Sequence, residues 1–253
     1  AMHILSQTAT IIAFDDRIRR ESDLIQPDPE LSFAANFLYM LTGKVPDEEV
    51  VRFFDICMIL HADHEFNAST FAARVISATL SDMYSAITGA IGALKGPLHG
   101  GANEQVMKML FEIGDTSRVD GYIHMHLAEK RKIMGFGHRV YKTEDPRARH
   151  LKEMALRMSE RMGQMKWYDM SRRIEQLMLE ERKLYPNVDF YSGSVYHLMG
   201  ISDDLFTPIF AASRASGWIA HVLEQYSNNR LIRPTADYVG PMDQKFVSIE
   251  HRS

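Results

Sequence analysis

The sequence predicts an all-α fold, on three observations. Apolar residues recur at helical spacing in one segment after another, Pro, Gly and Asp signals punctuate those segments, and no stretch sustains the period-two alternation of a half-buried strand. Neither internal repeats nor low-complexity segments interrupt the pattern, and no linker-like composition marks a domain boundary. With 253 residues, 45% hydrophobic and 25% charged, the chain can bury a large core as one or two domains.

The first helix is expected from about Ile4 to Arg20, with Pro27-Asp28-Pro29 as the break after it. Leu31–Leu41 places Leu31, Ala34, Phe37, Leu38 and Leu41 at helical spacing, and Thr42-Gly43 stops it. Pro46-Asp47-Glu48-Glu49 opens the next helix, with acids in the first turn where the macrodipole favours them, and it should run to about His61. Ser69–Gly92 alternates small with larger apolar residues, which lets helices approach closely and marks either core or a subunit interface. The overlapping stretch Val75–Leu94 is interrupted by Asp82 and rich in Ser, Thr and Gly, so it reads as a buried helix pair, not a membrane span.

Further helices are expected over Asn103–Phe111, Val119–Lys132, Pro146–Met162 and Lys166–Leu184, the last three with charged, solvated faces. Tyr185–Gly193 breaks that rhythm. Phe206–Tyr226 is a long helix with a small-residue face of Ala211, Ala212, Ala215 and Ser216, and an irregular tail follows from Asn228.

A net charge of −4 gives no reason to expect nucleic acid, so any bound anion should be small. Cys57 is the only cysteine, which excludes an internal disulfide and a Cys-based zinc site; in the apolar run Phe53–Leu60 it reads as a buried, inert thiol. The opening AMHILSQTATIIAFDDRIRR has no basic n-region and turns amphipathic at once, which argues against a signal peptide and makes the cytoplasm the default.

Chemistry concentrates in Arg131–Arg149, RKIMGFGHRVYKTEDPRAR. His138 follows the Gly135-Phe136-Gly137 turn, and Arg131, Lys132, Arg139, Lys142, Arg147 and Arg149 surround it. Paired glycines let backbone approach a ligand, and the cations suit a multiply anionic one. Asp145-Pro146 is a helix-opening pair, which puts Arg147 in a first helical turn with a guanidinium able to grip a carboxylate bidentately. A basic surface loop is the plainer alternative.

Elsewhere, His61-Ala62-Asp63-His64-Glu65-Phe66-Asn67 is a dense polar cluster. If helical, His61 and His64 share a face and a metal is conceivable, but Ala68 stands where a zincin would have its second histidine. A structural histidine or a substrate contact remain the other readings. His99 sits between Gly96-Pro97 and Gly100-Gly101 ahead of a helix N-terminus, where a cationic imidazole is disfavoured and a neutral one can donate to a developing oxyanion. Asp189 lies among apolar and aromatic neighbours that raise a carboxyl's pKa and strengthen it as a base, although a capping role is equally natural. Arg214 interrupts a nearly uncharged helix and needs a partner if buried, while Arg230 and Arg233 add guanidiniums to the tail. Several guanidiniums with turn histidines form a receptor for a small di- or tricarboxylate, and a base facing a neutral imidazole suits proton abstraction beside a carbonyl.

GPLHGGAN at 96–103, IMGFGHRVYKTEDPR at 133–147, PNVDFYSG at 186–193 and the final SRASGW…NRLIRP resemble the citrate synthase family, in its shorter bacterial and archaeal branch. The resemblance runs from about Leu31 to the C-terminus. It implies a two-domain, multi-helical homodimer that condenses acetyl-coenzyme A with oxaloacetate and hydrolyses the citryl thioester, with coenzyme A thioester as co-substrate and no permanently bound cofactor. By motif match it assigns Asp189 to methyl proton removal, His99 to the thioester oxygen and His138 to the ketone. His64, Arg147 and Arg214 fall to oxaloacetate, as does Arg233, reaching in from the partner subunit. Ile133, Met134, Gly135, Phe136 and Gly137 fall to the adenine, and Lys142, where some relatives have arginine, to a coenzyme A phosphate. A small domain over 101–200 is implied, with 1–100 and 201–253 forming the large one. Family members usually have a further helical N-terminal region, and the resemblance implies that this sequence starts after it. The alternatives within reach are a 2-methylcitrate synthase using propionyl-coenzyme A, or a non-catalytic paralogue that binds coenzyme A or a dicarboxylate.

Overall fold

Local capping chemistry sets most of the helix starts in the computed structural model, which describes residues 1–96, 98–138 and 140–252. Pro97 and Arg139, named above, lie outside the described residues. The helices are α1 (Met2–Arg19), α2 (Phe33–Thr42), α3 (Glu48–Ala62), α4 (Ala68–Ser77), α5 (Met83–Leu94), α6 (Ala102–Ile113), α7 (Val119–Ala128), α8 (Pro146–Arg161), α9 (Met165–Arg182), α10 (Val188–Leu198) and α11 (Phe206–Ser227). Among the described residues the only β-type pairing is an isolated Phe136–Pro186 bridge. The all-α expectation therefore holds.

Ser32, Asp47, Asn67, Asp82, Asp145 and Asn187 cap α2, α3, α4, α5, α8 and α10, each side chain accepting a first-turn backbone N–H. Helix α3 ends at Ala62, as expected, and Asp63 is extended, so His61 and His64 share no helical face, and no cluster of three metal-ligating side chains occurs among the described residues. Two boundaries differ from expectation. Helix α7 stops at Ala128, where Lys130 takes a positive φ of 56°, and so frees 131–137 as loop. Of the expected break at 185–193 only 185–187 is non-helical; Asn187 caps the helix, and Asp189 stands in its first turn.

Helix α10 is nearly buried all round, Val188 through Tyr196, and packs on α3, α6, α8 and α9. Around it gathers the larger apolar cluster, including Phe37, Phe54, Ile113, Ile174, Phe190 and Phe206. A second cluster joins α4, α5 and α11 around Trp218. The α4–α5 pair is buried on one side only, since Tyr84 and Ile91 are exposed. Gly217 of α11 lies so close to α3 that a Cβ there would fall 2.3 Å from the Ala62 carbonyl oxygen. That close crossing carries Arg214 to the end of α3. Cys57 is buried, and desolvation pushes its thiol above its ordinary pKa, as an inert core residue requires. No helix is long and apolar enough to cross a membrane among the described residues.

Candidate active site

The loop 133–138 and the start of α10 are bound together before any ligand is considered. Gly135 and Gly137 both have φ near +80°, and a Cβ on Gly135 would lie 2.8 Å from Phe190 atoms. Asn187 N–H donates to the Gly135 carbonyl (2.9 Å), Gly137 N–H to the Tyr185 carbonyl (3.0 Å) and the Asn187 amide to the Gly137 carbonyl (3.1 Å). His138 and Asp189 thus sit at opposite ends of one cross-linked corner.

His138 Nδ1 accepts from the Val140 and Tyr141 backbone N–H groups, at 3.1 Å each. Two donors on Nδ1 assign the proton of the neutral ring to Nε2. Its ring meets that of His64 at 5.0 Å between centroids, and His64 Nε2 lies 3.3 Å from the Tyr141 hydroxyl. Both imidazoles are held below the ordinary histidine pKa, first by desolvation; His64 and Arg147 add to it at His138, and Arg147 and Arg214 at His64. His64 therefore packs against His138 and Tyr141.

Arg147 does grip a carboxylate bidentately, but the carboxylate belongs to the protein. Its Nε and Nη2 donate to Asp145 at 3.0 and 2.8 Å, and Asp145 also accepts the Arg147 backbone N–H. Burial opposes ionisation of Asp145, yet its bonds to Arg147 outweigh it and hold its pKa below the usual value. This pairing follows from a cap two residues ahead of an arginine in the first turn, and it leaves Nη1 as the guanidinium donor without a described protein partner.

Arg214, 2% exposed, donates through Nε to the His61 carbonyl at 2.6 Å and lies over the Phe210 ring at 4.8 Å. Desolvation lowers its pKa to about 10, so it remains a cation at neutral pH. The partner that its burial demanded is a backbone carbonyl and an aromatic face, which no local sequence signal announces. His61 itself is wholly buried, bonded through Nδ1 to the Cys57 carbonyl at 2.7 Å and lowered to about 4 by desolvation.

His99 reaches back to α4. Its Nε2 accepts from the Ser69 backbone N–H (3.3 Å) and lies 2.8 Å from Ser69 Oγ, which in turn accepts from Trp218 Nε1 (3.0 Å). Its pKa falls to about 4, chiefly through desolvation and then through Arg214, so burial and not the helix N-terminus keeps this imidazole neutral. Ser69 and Trp218 carried no sequence signal of this role. Asp189 is buried, its Oδ1 has no hydrogen-bond partner among the described residues, and desolvation raises its pKa to about 7 against the opposing pull of Arg147 and Arg214. These two guanidiniums act on Asp189, Arg214 on His99, and Arg147 on His138, so one electrostatic neighbourhood contains all three.

A groove of about 510 Å³ runs along the loop, lined by Ile133, Met134, Gly135, Phe136, Met178, Leu184 and Asn187, with exposed Lys130, Arg131, Lys132 and Arg182 around it. It combines an apolar slot with a cationic rim. Lys142 and Arg233 are not part of either cluster in this chain: both are exposed, and among the described residues Arg233 bonds only to the neighbouring Pro234 carbonyl.

The arrangement is a carboxyl poised to titrate near neutrality, two imidazoles kept neutral, and buried cations around them. Against known proteins, residues 1–235 match the family model described as citrate synthase, C-terminal domain. Citrate synthase 2 of Bacillus subtilis (strain 168) is 60% identical over 253 residues, covering all of this chain and 68% of that protein. A 2-methylcitrate synthase of Shewanella oneidensis is 50% identical over 218 residues, 86% of this chain and 58% of that one. Citrate synthase of Thermoplasma acidophilum, solved as a ternary complex with carboxymethyl coenzyme A and oxaloacetate, superposes with a TM-score of 0.92 at 38% identity, covering 98% of this chain and 68% of that one. The chain spans about two thirds of the length of its Bacillus and Thermoplasma relatives. Fold, motif order and whole-chain identity agree: this chain belongs to the citrate synthase family.

Proposed function

We propose that this chain condenses acetyl-coenzyme A with oxaloacetate and hydrolyses the thioester product to citrate and coenzyme A, through Asp189, His99 and His138. The observation that carries the reading is Asp189, a buried carboxyl whose Oδ1 has no partner among the described residues and whose pKa lies near 7, under the same Arg147 and Arg214 guanidiniums that act on two imidazoles held below the ordinary histidine pKa. Ionised Asp189 takes a proton from the acetyl methyl group. With Nε2 accepting the Ser69 amide, His99 presents Nδ1–H to the oxygen that gains charge as the enolate forms. The enolate carbon then bonds to the oxaloacetate ketone carbon, and His138 Nε2–H donates to the ketone oxygen as it becomes the alcohol. A water cleaves the citryl thioester and releases the thiol.

Arg214, Arg147 through its Nη1, and His64 provide the oxaloacetate site, completed by Arg233 of a second copy. Supporting a homodimer are the exposed Tyr84 and Ile91 flanking small residues on α5, and an irregular tail that exposes Tyr238, Val239 and Phe246. The groove beside 133–137 takes the adenine, and Lys142 faces a coenzyme A phosphate once 101–200 closes, as a small domain, on the large domain of 1–100 and 201–253. Closure excludes water until the carbon–carbon bond is made. The cytoplasmic setting belongs to the same proposal.

Propionyl-coenzyme A is the second reading, favoured by the 50% identity to a 2-methylcitrate synthase. One methylene in an apolar pocket discriminates by only about 1–3 kcal/mol, so both thioesters can be turned over by these residues. Thiol release with oxaloacetate and each thioester decides: higher kcat/KM for acetyl-coenzyme A supports the first reading, higher for propionyl-coenzyme A the second. Binding without thiol release contradicts both.

A further inference from the structure

Outside the site, a half-buried carboxylate on α9, Glu175, gathers side chains from two further helices. Its Oε1 accepts from Lys152 Nζ of α8 at 2.9 Å, and its Oε2 accepts from Arg172 Nη1 and from the Tyr191 hydroxyl of α10, both at 2.5 Å. The Glu175 side chain is 13% exposed and Tyr191 is fully buried. One carboxylate therefore fastens three helices at a single point, and two of them carry site residues: Arg147 opens α8, and Asp189 stands in the first turn of α10.

Tyr191 and Asp189 are two positions apart on α10, so they point to nearly opposite sides of the helix axis. Anchoring the Tyr191 side fixes the rotation of α10 and hence the aim of the Asp189 carboxyl. Lys152 on the same carboxylate fixes α8, and with it Arg147, relative to that aim. Charge-assisted bonds from two cations and a phenol hold the carboxylate's pKa below its usual value despite burial, so the clamp stays ionised wherever the base can work.

We infer that Glu175 is a positioning residue for the condensation, holding Asp189 and Arg147 in register through Tyr191 and Lys152. The inference rests on the proposed role of Asp189. A displacement of about 1 Å in a reacting group can cost on the order of 100-fold in rate, so small rotations of α10 matter to turnover before they matter to folding.

The test compares wild type with the Asp189→Asn, Glu175→Gln, Tyr191→Phe and combined Glu175→Gln/Tyr191→Phe variants, by thiol release and thermal melting. Glu175→Gln should lower kcat by about tenfold or more while the KM for acetyl-coenzyme A stays within about twofold. Tyr191→Phe should lower kcat less, and the double variant should be no slower than Glu175→Gln, because the pair shares one contact. Lower melting temperatures with kcat kept within twofold in both single variants, beside an inactive Asp189→Asn, would overturn the positioning role alone. Normal turnover by Asp189→Asn would overturn that role together with the base it depends on.

Discussion

Asp189 carries the heaviest consequences of any single residue. Burial raises its pKa from the ordinary 3.8 to about 7, so the folded chain binds a proton that the unfolded chain releases above pH 4. Its contribution to stability is full below about 4 and is lost as pH rises through 7. Asp189→Asn should therefore cut kcat by about 10²–10⁴ and yet stabilise the fold at pH 8, by roughly 2–4 kcal/mol, with the gain vanishing by pH 4. Parallel activity assays and denaturant melts at the two pH values check both halves. Arg147 predicts differently. It shares a buried ion pair with Asp145, whose side chain is 1% exposed, so Arg147→Leu strips a buried carboxylate of its counterion. We expect a loss of about 3–5 kcal/mol in stability together with a KM increase much greater for oxaloacetate than for acetyl-coenzyme A. The opposite order of KM effects would remove Arg147 from the carboxylate site.

At the scale of elements, close helix crossings do what the motifs alone cannot. Gly217 lets α11 lie on the end of α3 so that Arg214 reaches the His61 carbonyl. A Cβ there meets backbone at 2.3 Å, so Gly217→Ala should destabilise by about 1–3 kcal/mol and weaken oxaloacetate binding, measurable by melting and by KM. Helix existence and most boundaries were legible because they rest on local signals: Asp47 and Asp145 as caps, Gly43 at a helix end with φ of 77°. The two misjudged stretches failed for local reasons too. The charged run Glu129–Lys132 invited continuation of α7 past Ala128, and the Pro186-Asn187 break concealed that Asn187 caps a helix beginning one residue later.

Contacts distant in sequence leave no local trace in the chain. Nothing near His99 points to Ser69 or Trp218, nor anything near Arg214 to His61, because such pairings exist only once α3, α4 and α11 are packed. Ancestry was legible nonetheless, because long ordered motifs survive where pairwise geometry leaves no local trace.

For the molecule as a whole, acid is the expected weakness. His61 and His99 are both depressed from 6.5 to about 4, and His64, His138 and His197 are depressed as well. A lowered histidine pKa stabilises the fold above 6.5, where both states are neutral, and that stability is lost as pH falls toward 4 and the unfolded chain gains protons. Asp189 works in the opposite direction over the same window, but it is one group against several. The denaturation midpoint should therefore fall steadily from pH 7 to pH 4. A flat midpoint over that range would mean that the histidines are solvated in solution.

The pH dependence of kcat tests the central claim most directly. With oxaloacetate and acetyl-coenzyme A saturating, the wild-type chain should release thiol with an acid limb centred near pH 7, and Asp189→Asn should show almost none at any pH. Turnover by Asp189→Asn comparable to wild type, or an acid limb centred near pH 4, would contradict the assignment of the base.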